Sequence, residues 1–215
     1  MMGLLIFVNI LFPFLVLFAS EDLFQKSEQM ILVLQDVEKK KTTLQLYEIV
    51  EGQWREKGSP ILAAVGRNGL FSASEKKEGD GATPKGEYPL LRAYGYRSLS
   101  RIHFPYEVNT SNHYWVDDSS SELYNRRVKG KPKAKSYHSL LRKDNLYKYM
   151  IVIEYNTDPA EEGKGSMIFI HPWADASKPT SGCLGISEEK LKEILLWLKK
   201  DKNPSLWIES YSEVK

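Results

Sequence analysis

The chain has 215 residues, 42% of them hydrophobic and 27% charged, with one cysteine. That length predicts one large domain able to bury a core. The net charge of +2 points to no polyanionic partner, and a lone cysteine excludes a disulfide within the chain.

Residues 1–20 carry no charge and are mostly apolar. They predict either a secretory signal or a retained membrane anchor, the length being close to a bilayer span. The usual positive start is missing, and Leu17, Ala19 and Ser20 make a poor cleavage site. Either route puts residues 21–215 outside the cytoplasm as a single domain. A cysteine with no internal partner suits that compartment.

Met30 to Val37 and Thr42 to Val50 alternate in polarity around Glu38-Lys-Lys-Lys41 and predict a β-hairpin. Ser59 to Val65 predicts a third strand. The turn-rich stretch Gly79-Asp80-Gly81-Ala82-Thr83-Pro84-Lys85-Gly86 follows, and then a strand over Glu87 to Tyr94. Residues 97–148 are less regular and predict an insertion or flap on the β core. Their basic run from Arg126 to Lys143 reads as a solvated loop or as attraction to an anionic wall polymer or membrane. Nucleic-acid binding would need groove-reading elements beside that charge, so no nucleic-acid partner is expected.

Tyr149 to Tyr155 and Ser166 to Ile170 are two further β runs. Leu191, Ile194, Leu195 and Leu198 share a helical face, with Ser187 as N-cap. Lys199, Lys200 and Lys202 are placed near the helix end, with Asn203-Pro204 as its stop, and Leu206 to Ile208 as a last strand. Many short strands and turn signals predict a mainly β fold, a sandwich or open barrel.

Cys183 follows Gly182 and precedes the Ser187 helix by less than one turn, and His171 ends an apolar run upstream. A lone cysteine reads first as a small buried apolar residue. Here the second reading is a thiol nucleophile with His171 as its base. Metal binding finds too few ligands at useful spacing, since His103, His113 and His138 are scattered.

His171, then Thr180-Ser181-Gly182-Cys183, together with the Gly79 to Gly86 stretch, resembles the L,D-transpeptidase catalytic domain of the YkuD type, a family of bacterial cell-wall enzymes. One branch is similar also in Trp115-Val-Asp-Asp118, Tyr124-Asn125, Tyr155-Asn156 and Gly165 to His171. The resemblance covers most of residues 30–210. It implies a mixed β-sandwich with a short helix behind the cysteine, acting on peptidoglycan stem peptides with no cofactor and no metal. Cys183 would attack the carbonyl that follows the L-centre of diaminopimelate, releasing D-alanine. Transfer to an amine would give a 3→3 cross-link; transfer to water would make an L,D-carboxypeptidase.

By the same resemblance, His171 would be the base, the Pro172 carbonyl its orienter, and the N–H groups of Gly182 and Cys183 the oxyanion donors. Thr180, Ser181, Trp173, Asp117, Asp118, Asn125 and Gly81 are the candidate substrate-binding residues. Many relatives carry an arginine where this chain has Gly185; Lys178, Arg67 or Arg92 are the candidates to hold the substrate carboxylate instead. Two further classes stand beside the enzyme: a wall-binding module without turnover, and a sortase-like ligase, which the short histidine-to-cysteine gap argues against. The expected location is the cell envelope.

Overall fold

The computed structural model describes residues 26–212. The signal or anchor expected over residues 1–20 lies outside them. Among the described residues these elements follow in chain order: β1 Gln29–Asp36, β2 Lys41–Val50, β3 Gln53–Ala63, β4 Leu70–Phe71, β5 Thr83–Pro84, β6 Gly86–Pro89, β7 Ala93–Gly95, β8 Tyr106–Val108, β9 His113–Val116, β10 Arg127–Lys129, β11 Tyr137–Ser139, β12 Tyr149–Val152, β13 Phe169–Pro172, β14 Leu184–Ile186, α1 Glu188–Trp197 and β15 Ser205–Tyr211.

Two five-stranded mixed sheets face each other, in the orders β3-β2-β1-β15-β6 and β14-β13-β12-β7-β8. Period-2 alternation decides what each face meets. Ile151, Ile170, Leu184 and Ile186 point inward, where they meet Ile31, Val33 and Leu44 of the first sheet and Leu191, Ile194 and Leu195 of α1. Their alternates Met150, Val152 and Phe169 point outward and are covered by Trp115, Leu140 and Tyr147. The mixed β-sandwich with a helix after Cys183 is therefore the observed fold.

Several elements differ from their sequence expectation, each for a tertiary reason. β3 starts at Gln53, not Ser59, because Glu51 and Gly52 both take positive φ (53° and 74°) and close a two-residue hairpin onto β2. The strand expected over Glu87 to Tyr94 is two strands on different sheets. Between them Leu90 N–H bonds the Pro204 carbonyl, as the chain crosses the sandwich. The run expected from Ser166 enters its sheet only at Phe169, since Met167 stands at φ 56°.

Helix α1 has the expected cap, Ser187 Oγ accepting from Lys190 N–H at 3.3 Å. It ends at Trp197, before the lysines, which fall in or beside a following 3-10 turn, Lys200–Lys202. Buried Gln29 causes the early stop. Its Nε2 donates to the Trp197 carbonyl at 2.9 Å and its Oε1 accepts from Lys199 N–H at 2.8 Å, satisfying groups that a helix end leaves open.

The stretch 97–148 forms a wall on the outer face of the second sheet. β8 completes the second sheet beside β7, and β10-β9-β11 form a separate small sheet. Trp115 on β9 stands edge-on to Phe169 with ring centres 4.8 Å apart. That contact closes the outer face of the sheet that carries His171.

Candidate active site

β13 and β14 run parallel, with His171 opposite Gly185 and Ile170 opposite Leu184. Cys183 immediately precedes β14, so continuing that register sets it opposite Phe169. His171 and Cys183 therefore project from the same outer face, two positions apart along neighbouring strands. The sequence motif becomes a juxtaposition because a short parallel crossover returns the chain beside its own strand.

His171 is 4% exposed. Its imidazole sits in an aromatic row, edge-on to Tyr147 at 6.0 Å and to Trp173 at 5.6 Å; Tyr147 in turn meets Phe169 at 5.7 Å. Nδ1 lies 2.9 Å from the Pro172 carbonyl oxygen. A carbonyl can only accept, so Nδ1 carries the proton and Nε2 keeps its lone pair. Burial pushes the His171 pKa below the usual histidine value, with the Pro172 carbonyl opposing in part.

Cys183 is partly exposed, and its thiol donates to the Met167 carbonyl at 3.1 Å. Burial of the sulfur pushes the thiol up to about 11; a Phe169 N–H and the Lys76 ammonium act the other way. The resting pair is thus neutral thiol and neutral imidazole.

The 180–185 segment is fixed from beneath. Thr180 N–H bonds the Val65 carbonyl, Arg67 N–H bonds the Thr180 carbonyl, and Gly185 exchanges both backbone bonds with Ala64. Thr180 Oγ1 accepts from Gly182 N–H at 3.1 Å and donates to the Cys183 carbonyl at 2.6 Å. Thr180 is buried, and its hydroxyl shapes this turn. Gly182 N–H, one of the expected pair of oxyanion donors, bonds Thr180 Oγ1 in this structure.

The glycine-rich stretch meets the cysteine turn directly. Thr83 Oγ1 donates to the Gly182 carbonyl at 2.7 Å and accepts from Gly66 N–H at 2.9 Å. Gly182 stands at φ 139°, and a Cβ there would come within 3.0 Å of the Ala82 carbonyl oxygen, so only glycine fits. Gly81 is buried against the Arg67 guanidinium, and its carbonyl accepts from Asn68 N–H. Beneath the stretch, buried Lys76 pairs with Asp80 at 2.7 Å.

Asn125 is also buried, and every polar atom of its side chain is used. Oδ1 accepts from Trp115 Nε1 at 2.9 Å and from Met167 N–H at 3.0 Å; Nδ2 donates to the Tyr155 and Asn156 carbonyls. It therefore holds the residue whose carbonyl holds the thiol, and it has no group left for substrate. Neighbouring Tyr124 bonds Glu78 and receives Gly165 N–H, tying the 97–148 wall to the glycine-rich stretch.

Trp173 packs its ring on His171 and donates Nε1 to the Lys178 carbonyl at 2.8 Å. A Cβ on Gly185 would lie 2.7 Å from Trp173 Cβ and Cγ. The tryptophan thus fills the space that a side chain at 185 would need. Ser181 is exposed beside the thiol turn. Asp117 pairs with His138 at 3.0 Å, and Asp118 accepts from Ser120 and Lys135 N–H groups, so both carboxylates bond inside their own wall. Among the described residues no group of His, Cys, Asp or Glu side chains could hold a metal ion.

Sequence reasoning missed Met167, Tyr147 and Thr83 as parts of the site. Thr83 lay inside a recognised motif; the contact of Met167 is made by its backbone, which no side-chain pattern reports.

A family model, the L,D-transpeptidase catalytic domain, matches residues 34–205. The chain belongs to this family. Proteins of this family act on peptidoglycan and are associated with the cell wall. Two crystal structures of the helical cell shape determining protein Pgp2 from Campylobacter jejuni, one of them a mutant, are similar to it at 16% identity and a TM-score of 0.41. Each comparison covers 87% of this chain and 49% of the other, so the chain spans about half their length. No curated protein matches. Among the described residues no helix is long and apolar enough to cross a membrane.

Proposed function

We propose that this protein is a cysteine acyltransferase that cuts the bond between diaminopimelate and D-alanine in tetrapeptide stems and passes the acyl group to an amine. The observation that carries the proposal is the pairing of a thiol with an Nδ1-protonated, buried histidine on one sheet face.

Substrate binding displaces the thiol from the Met167 carbonyl. His171 Nε2 takes the thiol proton as sulfur attacks the carbonyl carbon. The Cys183 N–H stabilises the resulting oxyanion. The C–N bond to D-alanine breaks, and the imidazolium returns its proton to the leaving nitrogen. An acceptor amine then attacks the thioester, gives its proton to Nε2, and the sulfur leaves to be reprotonated. Dry surroundings keep the pair neutral until a carbonyl is present, which protects a lone thiol from oxidation. The apolar residues 1–20 would deliver or tether the domain to the cell envelope.

Mass spectrometry of tetrapeptide muropeptides incubated with the protein and with Cys183→Ala tests this. Cysteine-dependent loss of D-alanine with dimer formation is expected. Loss with tripeptide monomer alone would make the protein an L,D-carboxypeptidase. No loss of D-alanine with either protein would reduce it to a wall-binding module.

A further inference from the structure

The proposed leaving group is an amino acid with a free carboxylate two bonds from the nitrogen that His171 protonates. That charge needs a cation on the His171 side of the thiol. Position 185 cannot supply one, because Trp173 occupies its side-chain space. Arg92 pairs with Glu154 at 2.9 Å and is not among the side chains that stack on the rings beside His171. Arg67 lies against Gly81 on the glycine-rich stretch, and Lys178 is exposed in the loop beyond Trp173.

Arg142, which the sequence did not single out for this part, stands in the right wall. Its guanidinium carbon lies 5.2 Å from the centre of the Tyr147 ring, the same ring that meets the imidazole of His171. Tyr96 fixes its backbone from both sides, accepting from Arg142 N–H at 2.9 Å and donating to its carbonyl at 3.2 Å. Asp144 engages the Nε–Nη2 edge of the guanidinium and is itself held by Leu146 N–H at 3.2 Å. Among the described residues nothing else bonds the side chain, so the Nη1–Nη2 edge is open. A guanidinium has two such edges, each matched to a carboxylate. The side chain is about one-third exposed, accessible to a ligand yet partly shielded from water.

We propose that Arg142, aligned by Asp144, is the subsite for the free C-terminal carboxylate of the leaving D-amino acid. The inference rests on the acyl-transfer reading above. It moves the carboxylate contact from the cysteine strand to the 97–148 wall. Burial sets the direction of the His171 shift, and Arg142 and Asp144 act on the ring in opposite senses, as befits a pair near it.

The test compares the tetrapeptide stem ending in D-alanine with the same peptide ending in D-alaninamide. Wild type is expected to favour the acid by roughly 10- to 100-fold in kcat/KM, the range for a hydrogen-bonded charge pair. Arg142→Met should bring that ratio close to one, and Arg142→Lys should restore part of it. The same peptides are titrated calorimetrically into full-length Cys183→Ala, with and without Arg142→Met, as a readout independent of turnover. An unchanged ratio in Arg142→Met, or no preference in wild type, overturns the subsite while leaving the reaction standing. Absence of both turnover and binding for either peptide overturns the acyl-transfer reading, and the subsite with it. Arg142-dependent binding of the acid without turnover upholds the subsite alone.

Discussion

Cys183 and His171 owe their chemistry to what surrounds them more than to their own identity. A thiol held at about 11 is almost wholly protonated at neutral pH. Alkylation of the free protein by iodoacetamide should therefore accelerate about tenfold per pH unit and level off only near pH 11. A plateau near pH 8 would mean an ordinary, unshifted thiol, and one already reached below neutral pH a pre-formed ion pair with His171. Asn125 is the residue through which the wall reaches the sulfur. Asn125→Ala leaves Trp115 Nε1, Met167 N–H and two carbonyls without their partner, and should cost about 3 kcal/mol in urea unfolding. Slower or faster Cys183 alkylation in that variant would register the displaced Met167 carbonyl, which a purely structural asparagine would not move.

At the scale of elements, the site is a crossing of three segments: the end of β3, the glycine-rich stretch and the cysteine turn. Thr83 bridges all three with one hydroxyl. Thr83→Val keeps the volume but strands Gly66 N–H and the Gly182 carbonyl, at a cost of about 2 kcal/mol. The check is a denaturation series in which Thr83→Ser recovers most of the loss. Gly185 and Trp173 form a second coupled pair. Gly185→Ala should be strongly destabilising alone and much less so with Trp173→Gly, which removes both the Cβ and the Cγ that the new methyl would meet. Additive effects in the double-mutant cycle would contradict the packing described.

For the whole molecule, the inner core draws side chains from both sheets and from α1, so neither sheet can lose its partner and stay folded. Unfolding should be one transition, with tryptophan fluorescence and far-ultraviolet circular dichroism coinciding. Acid should weaken it in a predictable direction. His171 has a folded-state pKa below its unfolded one, so the unfolded chain binds protons more readily. Stability is full above about pH 6.5 and falls as pH drops through the window down to the lowered value. His171→Gln should flatten that part of the profile; an unchanged profile would assign the acid sensitivity to other groups.

The hairpin β1–β2, the cap of α1, the β class and the two motifs whose residues meet at Cys183 are legible in the residues alone. These depend on local periodicity, turn chemistry and short spacings, which are written in contiguous residues. Tertiary structure alone decided that β6 and β7 part to different sheets, that Gln29 ends the helix at Trp197, and that Thr180 and Asn125 spend their polar atoms on the protein. It decided also that 97–148 walls the site and sets Arg142 near His171. Each of these depends on a partner far away in the chain. A side chain's hydrogen-bonding capacity is legible from its type, but the group that takes it up is known only once the chain has folded around it.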